Sequence, residues 1–316
     1  MLKRVLITPR SYGLYHPKIY EYWKKEGYEV VRKAGPHSEE DLITYLEGVE
    51  VLLVGTDHIS KKVIQNAKEL KVISKYGVGI DNIDCEAARK CGIEVLNTPG
   101  VNTEAVADYA FGLMLSLSRH IARSHFELVQ EGTWNKTVGV EIFGKTLGLM
   151  GLGSIGAAVA KRAKGFNMNV IAYDPFPNEQ LAQELGVTLV SLEDVIRESD
   201  IVSMHLPLTK ETRYMIDCNR LKKMKKNCLL INTARGGVIN ELHLYEALRD
   251  GEIKGAALDV FEEEPPTNSP LFELDNVILT PHNAAASVEA VQRMTLRSTD
   301  NVMAYYESLR KAMAPS

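Results

Sequence analysis

Residue types suited to anionic, proton-exchanging substrates stand at the ends of apolar runs in the second half of the chain. "CLLINTARGG" leads to Arg235, "GAALDVFEEE" to Asp259 and then Glu262, Glu263 and Glu264, and "NVILTPH" to His282. A guanidinium can grip a carboxylate through a bidentate fork. An imidazole titrates near neutral pH and can pass a proton in either direction. A carboxylate beside it would orient the ring and favour its charged form. Each alone reads as ordinary surface chemistry, and a short acidic run reads as a solvated loop. An arginine, a carboxylate and a histidine at successive strand ends instead suggest hydride transfer coupled to proton transfer.

Hydride transfer needs a carrier, and "LGLMGLGSIGAAVA" offers a place for one. Gly151, Gly153 and Gly156 form GxGxxG after an apolar strand and at the start of an Ala-rich helix. The spacing serves a tight turn, a close backbone approach to a pyrophosphate and close helix–strand packing, with the helix N-terminus facing the anion. Asp174 ends the next strand, eighteen residues past the third glycine. There it can accept hydrogen bonds from a ribose, and it would repel a 2′-phosphate. "YDPFPNEQ" supplies no arginine to reverse that preference, so NAD is expected rather than NADP.

These residues must be held by parallel sheets. The first hundred positions alternate short β-branched runs ("RVLIT", "YEVVR", "VEVLLVG", "LKVIS", "IEVLN") with helix-like stretches. A second alternating block runs from "KTLGLMG" to "NVILTPH". Between them, Thr103 to about Gln130 reads as one long apolar helix, with Gly132 as its stop. A last helix is expected from Val288 to about Leu309, capped by Ser287. In such sheets ligands gather outside the carboxyl ends of the strands. His205, Pro207 and Thr209 stand at a further exit, "IVSMHLPLT".

Composition narrows the class. The 316 residues are 45% hydrophobic and 25% charged with a net charge of −4, which is globular and carries no basic footprint for nucleic acid. The four cysteines form no CxxC pair and no zinc spacing, so no metal is expected and a reducing cytoplasm fits. No run approaches the ~18 apolar residues of a membrane span, and the N-terminus has no signal-type core.

Over nearly the whole chain the motifs resemble the D-2-hydroxyacid dehydrogenase family, in its phosphoglycerate dehydrogenase branch. The matching stretches include "KYGVGIDNID", "NTPGVNTEAVADYAFGLML", "GKTLGLMGLGSIG", "HLPLT", "INTARGGVIN", "ALDVFEEEPP" and "LTPHNAAAS". The resemblance implies an α/β protein of two Rossmann-like or flavodoxin-like domains. A discontinuous substrate domain (1–100 plus 287–316) would close a cleft against an NAD-binding domain (101–286). It implies Arg235 as substrate anchor, His282 as acid/base and Glu264 as its partner. Ser154, Ile155, Pro207, Thr209, Thr233 and Asp259 would line the NAD beside the glycines and Asp174. Val78, Gly79 and Asn102 would contact the substrate carboxylate. It further implies a homodimer with the 103–130 helix in its interface. The expected activity is oxidation of 3-phosphoglycerate, placing the protein in serine biosynthesis. The alternatives are glyoxylate or hydroxypyruvate reduction and, in another class, an NAD(H)-sensing co-repressor. Departures from the family pattern are Ala284 where glycine is usual, and no arginine near "LLVGTDHI", leaving Lys75 to supply a positive charge for a phosphate. The chain ends soon after residue 309, so no regulatory domain is expected there.

Overall fold

The computed structural model describes residues 3–313. They form two compact units, one of residues up to Asn102 together with those from Ala286 onward, the other of Thr103–Ala285.

The first unit holds five strands: β1 (Lys3–Ile7), β2 (Tyr28–Arg32), β3 (Val51–Val54), β4 (Val72–Lys75) and β5 (Glu94–Leu96). They are parallel in the order β2-β1-β3-β4-β5. Every residue of β3 and β4 is buried, as expected of central strands covered on both faces. The chain returns to this unit through the helix Val288–Met313, whose N-terminus is capped by the Ser287 hydroxyl, accepting from Ala290 N at 3.1 Å. Hydrogen bonds bind this helix to the sheet from a distance in sequence. Ser74 Oγ donates to Ser298 O (2.8 Å), Tyr76 Oη donates to Val291 O (3.1 Å), and Tyr12 Oη lies 2.6 Å from Thr299 Oγ1.

The second unit holds β6 (Thr146–Met150), β7 (Asn169–Tyr173), β8 (Thr188–Leu189), β9 (Ile201–Met204), β10 (Leu229–Asn232), β11 (Gly255–Leu258) and β12 (Val277–Leu279). They are parallel in the order β12-β11-β10-β9-β6-β7-β8. Strand order reverses between β6 and β9, which opens a crevice at their carboxyl ends. The strands β9, β10 and β11 are buried throughout.

The single helix expected over 103–130 is two helices, Thr103–Ser118 and Ile121–Gln130. His120 between them is left-handed, with φ 56°. The break has a tertiary cause: the segment after the second helix folds back so that Val140 N donates to Ser118 O at 2.8 Å, with Gly139 packed on the same carbonyl. The first helix buries nine of its residues, including Phe111, Leu113, Met114 and Leu117. The second buries none within the chain. Gly132, with φ 67°, stands just beyond its end.

Candidate active site

The crevice of the second unit begins at the Gly-rich turn. Gly151 has φ 103°, a conformation that costs a residue bearing Cβ, and such an atom would also meet the His205 backbone. Gly156 is pressed against the Gly151 carbonyl, so a side chain there would force the helix off the strand. Beside Gly153 the space is open. Gly153 precedes the ten-residue helix Ser154–Ala163, whose first N–H groups are available to an anion. Arg162 ties this helix to the start of the helix Thr103–Ser118 through Asp108 and Glu104, each at 2.7 Å.

A cavity of about 470 Å³ lies beside the turn. Asp174 lines it, accepting from Leu152 N with Oδ2 and from Phe176 N with Oδ1, both at 2.8 Å. Its carboxylate is thereby aimed by the turn itself. Lys161, Phe176 and Asn178 line the same cavity and were not singled out from sequence. The signal for Lys161 was present: Ser154, Ala157, Ala158 and Lys161 follow i, i+3, i+4, i+7 along one helix face. Pro207 and Thr209 sit in a turn closed by Thr212, whose hydroxyl donates to Pro207 O and accepts from Thr209 N, both at 2.7 Å. Thr233 Oγ1 is buried and finds no hydrogen-bond partner among the described residues, as does Asn102 Oδ1 in the first unit. A buried polar atom without a partner is costly, so each suits a position that a ligand satisfies. The aimed carboxylate, the open approach at Gly153 and the orphaned Thr233 hydroxyl fit a dinucleotide.

The candidate catalytic side chains sit at the exits of β10, β11 and β12. Asn232 ends β10, and its amide clamps the next turn: Oδ1 accepts from Ala234 N (3.0 Å) and Nδ2 donates to Arg235 O (2.9 Å). The guanidinium this turn carries donates to Ala234 O at 2.6 Å. After β11, the Asp259 carboxylate is fully buried and holds three donors, Thr280 Oγ1, Asn283 N and Ala284 N, at 2.6–2.8 Å. Burial raises it above its ordinary carboxylate value, against the pull of those donors and of His282. Asp259 therefore shapes the loop after β12, where His282 is left-handed with φ 52°. Ala284 is buried there and its N–H serves this purpose without needing glycine.

His282 Nδ1 lies 2.7 Å from Glu264 Oε2, and Glu264 Oε1 accepts from Phe261 N at 3.1 Å. Burial is the largest influence on Glu264 and pushes it up. The His282 hydrogen bond and charge, the Phe261 N–H and the Arg235 charge together bring it below its ordinary value. Facing this carboxylate, His282 Nδ1 can donate to Glu264, which leaves Nε2 open to another partner. Glu263 is exposed, but Glu262 departs from the solvated-loop reading: it accepts from Tyr214 Oη at 2.7 Å and from Glu241 N at 2.9 Å.

In the first unit, Asn97 Nδ2 donates to Val78 O (2.7 Å), and Thr98 and Gly77 exchange backbone and hydroxyl hydrogen bonds, fixing the loop that leads through Val78 to Gly79. Lys75 departs from its expected role at a substrate phosphate. It is buried, with Nζ at 2.6 Å from Gly55 O and 2.7 Å from Asn82 Oδ1.

The family model "D-isomer specific 2-hydroxyacid dehydrogenase, NAD binding domain" matches residues 111–284. The glyoxylate reductase of Korarchaeum cryptofilum is 43% identical over 90% of this chain and 86% of its own length. The D-3-phosphoglycerate dehydrogenase of Archaeoglobus fulgidus is 45% identical over 85% of this chain, but the match spans only 52% of that protein. Among solved structures, the TT0316 protein of Thermus thermophilus superposes with a TM-score of 0.87 at 38% identity, covering 96% of this chain and 97% of that one.

Proposed function

Since the chain belongs to the D-isomer-specific 2-hydroxyacid dehydrogenase family, NAD-dependent oxidoreductases, we propose that it interconverts a short unphosphorylated 2-keto acid, of the hydroxypyruvate or glyoxylate kind, and the corresponding D-2-hydroxy acid. The observation that carries the acid/base assignment is the 2.7 Å contact of Glu264 Oε2 with His282 Nδ1. A nicotinamide cofactor held at the Gly-rich turn would supply the hydride for reduction and accept it in oxidation. Arg235 holds the substrate carboxylate through its fork. His282, as imidazolium, releases its Nε2 proton to the carbonyl oxygen during reduction and recovers it during oxidation. Glu264 keeps Nδ1–H in place and stabilises the imidazolium whenever it forms. The Gly-rich turn, Ser154, Ile155, Asp174, Pro207, Thr209 and Thr233 are assigned to the cofactor; Asp259, expected there from the resemblance, is fully buried on three donors and is assigned instead to holding the His282 loop. Val78, Gly79 and Asn102 are assigned to the substrate carboxylate, which backbone N–H groups of this loop and the Asn102 amide nitrogen would serve as donors. The first unit is accordingly read as the substrate domain and the second as the NAD-binding domain.

The choice of an unphosphorylated substrate rests on Lys75, whose charge is engaged with Gly55 O and Asn82 Oδ1, and on the absence of arginine from residues 52–59. A second reading, 3-phosphoglycerate oxidation in serine biosynthesis, is favoured by the likeness to the Archaeoglobus enzyme, of which this chain spans about half the length. Comparing kcat/KM for hydroxypyruvate, glyoxylate and 3-phosphohydroxypyruvate, each with NADH and NADPH, decides between them. We expect hydroxypyruvate or glyoxylate with NADH to lead; a tenfold advantage for the phosphorylated acid installs the second reading.

A homodimer is part of the proposal. Ile121, Phe126, Leu128 and Val129 of the helix Ile121–Gln130 are about half exposed or more (49–57%), and the following Trp134 is 81% exposed. A second copy covering this face would remove that apolar surface from water. Phe126→Asp is then expected to halve the mass seen by light scattering. The four cysteines are free, which supports a cytoplasmic placement, and no helix among the described residues is long and apolar enough to cross a membrane.

A further inference from the structure

We propose that Glu262 is a positioning residue for the acid/base pair: it pins the loop of residues 260–265 to the start of the helix Glu241–Arg249 and to Tyr214, and so holds Glu264 against His282. The inference rests on the reading of Glu264 and His282 given above.

Glu262 is tied at three points. Its Oε1 accepts from Glu241 N (2.9 Å), its Oε2 accepts from Tyr214 Oη (2.7 Å), and its own N–H donates to Glu241 Oε1. The exchange with Glu241 is reciprocal, carboxylate to backbone in both directions. It also sets a negative charge at a helix N-terminus, where the dipole favours it. On this side of the loop every polar group of Glu262 but its carbonyl is engaged. Two residues on, Glu264 spends one oxygen on Phe261 N and the other on His282. The loop thus has one anchoring acid and one working acid.

Two further features make this a built arrangement. Tyr214 is left-handed with φ 51°, a strained conformation for an aromatic residue. It is held there by its N–H to Gly237 O (2.7 Å), with Arg213 4.7 Å over its ring, and the result is a phenol delivered to Glu262. Gly236 packs directly on the Phe261 carbonyl and Glu262 N, where a Cβ would not fit. The turn that carries Arg235 and the loop that carries Glu264 are therefore in backbone contact, and the Glu262 clamp keeps them so.

The ionisable groups around the clamp are Arg213 and Tyr214 from the segment after β9, Arg235 from the exit of β10, Glu241 from its helix, Asp259, Glu263 and Glu264 from the loop's own strand and turn, and His282 from the exit of β12. Burial raises Glu241, opposed by its hydrogen bond from Glu262 N and reinforced by the charges of Glu262 and Glu264.

The test follows the His282 ring by proton NMR across pH, its resonance identified by its loss in His282→Gln, alongside the pH profile of kcat/KM for hydroxy acid oxidation. In Glu262→Ala the ring is expected to titrate at lower pH by about half a pH unit or more, with the acidic limb of the rate profile moving the same way. Glu262→Gln keeps an acceptor for Glu241 N and a partner for the Tyr214 hydroxyl, so it should titrate as the parent does. An unchanged titration in Glu262→Ala overturns the clamp. So does a Glu262→Gln shift as large as that of alanine, because charge and not tethering would then be at work. Should the alanine variant not fold, Tyr214→Phe removes one tether and is expected to shift the titration in the same direction; no shift overturns the proposal. If Glu264→Gln moves neither titration nor rate, the acid/base reading itself fails. If Glu264→Gln moves both and Glu262→Ala moves neither, only the clamp fails.

Discussion

The carboxyl ends of the two sheets make an instructive pair. Both sheets are wholly parallel, both reverse strand order once, and both place charged residues at strand exits. In the first unit the reversal falls between β1 and β3, and the groups there satisfy one another. Thr8 Oγ1 donates to the buried Asp57 Oδ2 (2.5 Å), His37 N donates to Asp57 Oδ1 (2.9 Å), and Lys75 and Asn82 close around Gly55 O. In the second unit the reversal holds a glycine turn with open space, an orphaned Thr233 hydroxyl, and an Arg235, Glu264 and His282 set whose side chains reach the surface. A charged residue at a strand end is thus not evidence of chemistry. What separates the two regions is the open approach at Gly153 and the unpaired Thr233 hydroxyl of the second, against a mutually bonded set at the reversal of the first.

The contrast can be broken most sharply at His282. Alanine there should cost roughly 10²–10⁴-fold in kcat with little change in stability, because proton transfer loses its carrier. A loss below tenfold in steady-state assays would remove the distinction for this residue. His205 tests the rule from inside the active region. Its ring is pressed beside Gly156 and paired with Ser203 Oγ at 3.0 Å, and burial pushes it down to about 4. The unfolded chain binds this proton near pH 6.5 and the folded one does not, so stability rises with pH across that window. It should be full above about 6.5 and fall by up to ~3 kcal/mol as pH drops towards 4. Urea midpoints at stepped pH should show the decline, and His205→Asn should flatten it.

Lys75 gives the converse prediction in the first unit. Lys75→Met takes the Nζ donor from Asn82 Oδ1 and leaves Gly55 O with Asn82 Nδ2, and should destabilise by about 2 kcal/mol, read as a lower urea midpoint. The preference between hydroxypyruvate and 3-phosphohydroxypyruvate should hold. A tenfold fall in the use of the phosphorylated acid would mark Lys75 as a ligand and erase the contrast. The smallest effect is expected from Glu264→Gln, which keeps shape and removes charge. The acidic limb of the oxidation profile should move to lower pH by about one unit, since the neutral, proton-accepting imidazole would persist further into acid. A limb that stays in place would return Glu264 to the loop surface.

Much of this was legible in the chain. Short β-branched runs separated by helical stretches specify parallel strands because buried central strands tolerate little else. The tight turn at Gly151, Gly153 and Gly156 was legible, since a left-handed Gly151 and a helix packed at Gly156 directly on the turn admit few sequences. The break at His120 was not legible: "LSRHIAR" contains neither glycine nor proline, and a segment twenty residues on claims the Ser118 carbonyl. Lys75 misled for a similar reason. A lysine at a strand exit looks the same in sequence whether its charge faces a ligand or, as here, a carbonyl and an amide of its own sheet.

The sequence by itself therefore determined the strands, the dinucleotide turn and the types of residue at each exit, because these depend on local periodicity, backbone freedom and covalent spacing. The tertiary structure alone decided which partner each of those residues meets. In "DVFEEE", three identical acids have no local property that ranks them. Glu264 meets His282 from the exit of the next strand, Glu262 meets Tyr214 from the segment after β9 and Glu241 from the start of a helix, and Glu263 is left exposed. Their different roles come from partners 18 to 48 residues away, which only the packing of successive loops brings within hydrogen-bonding distance.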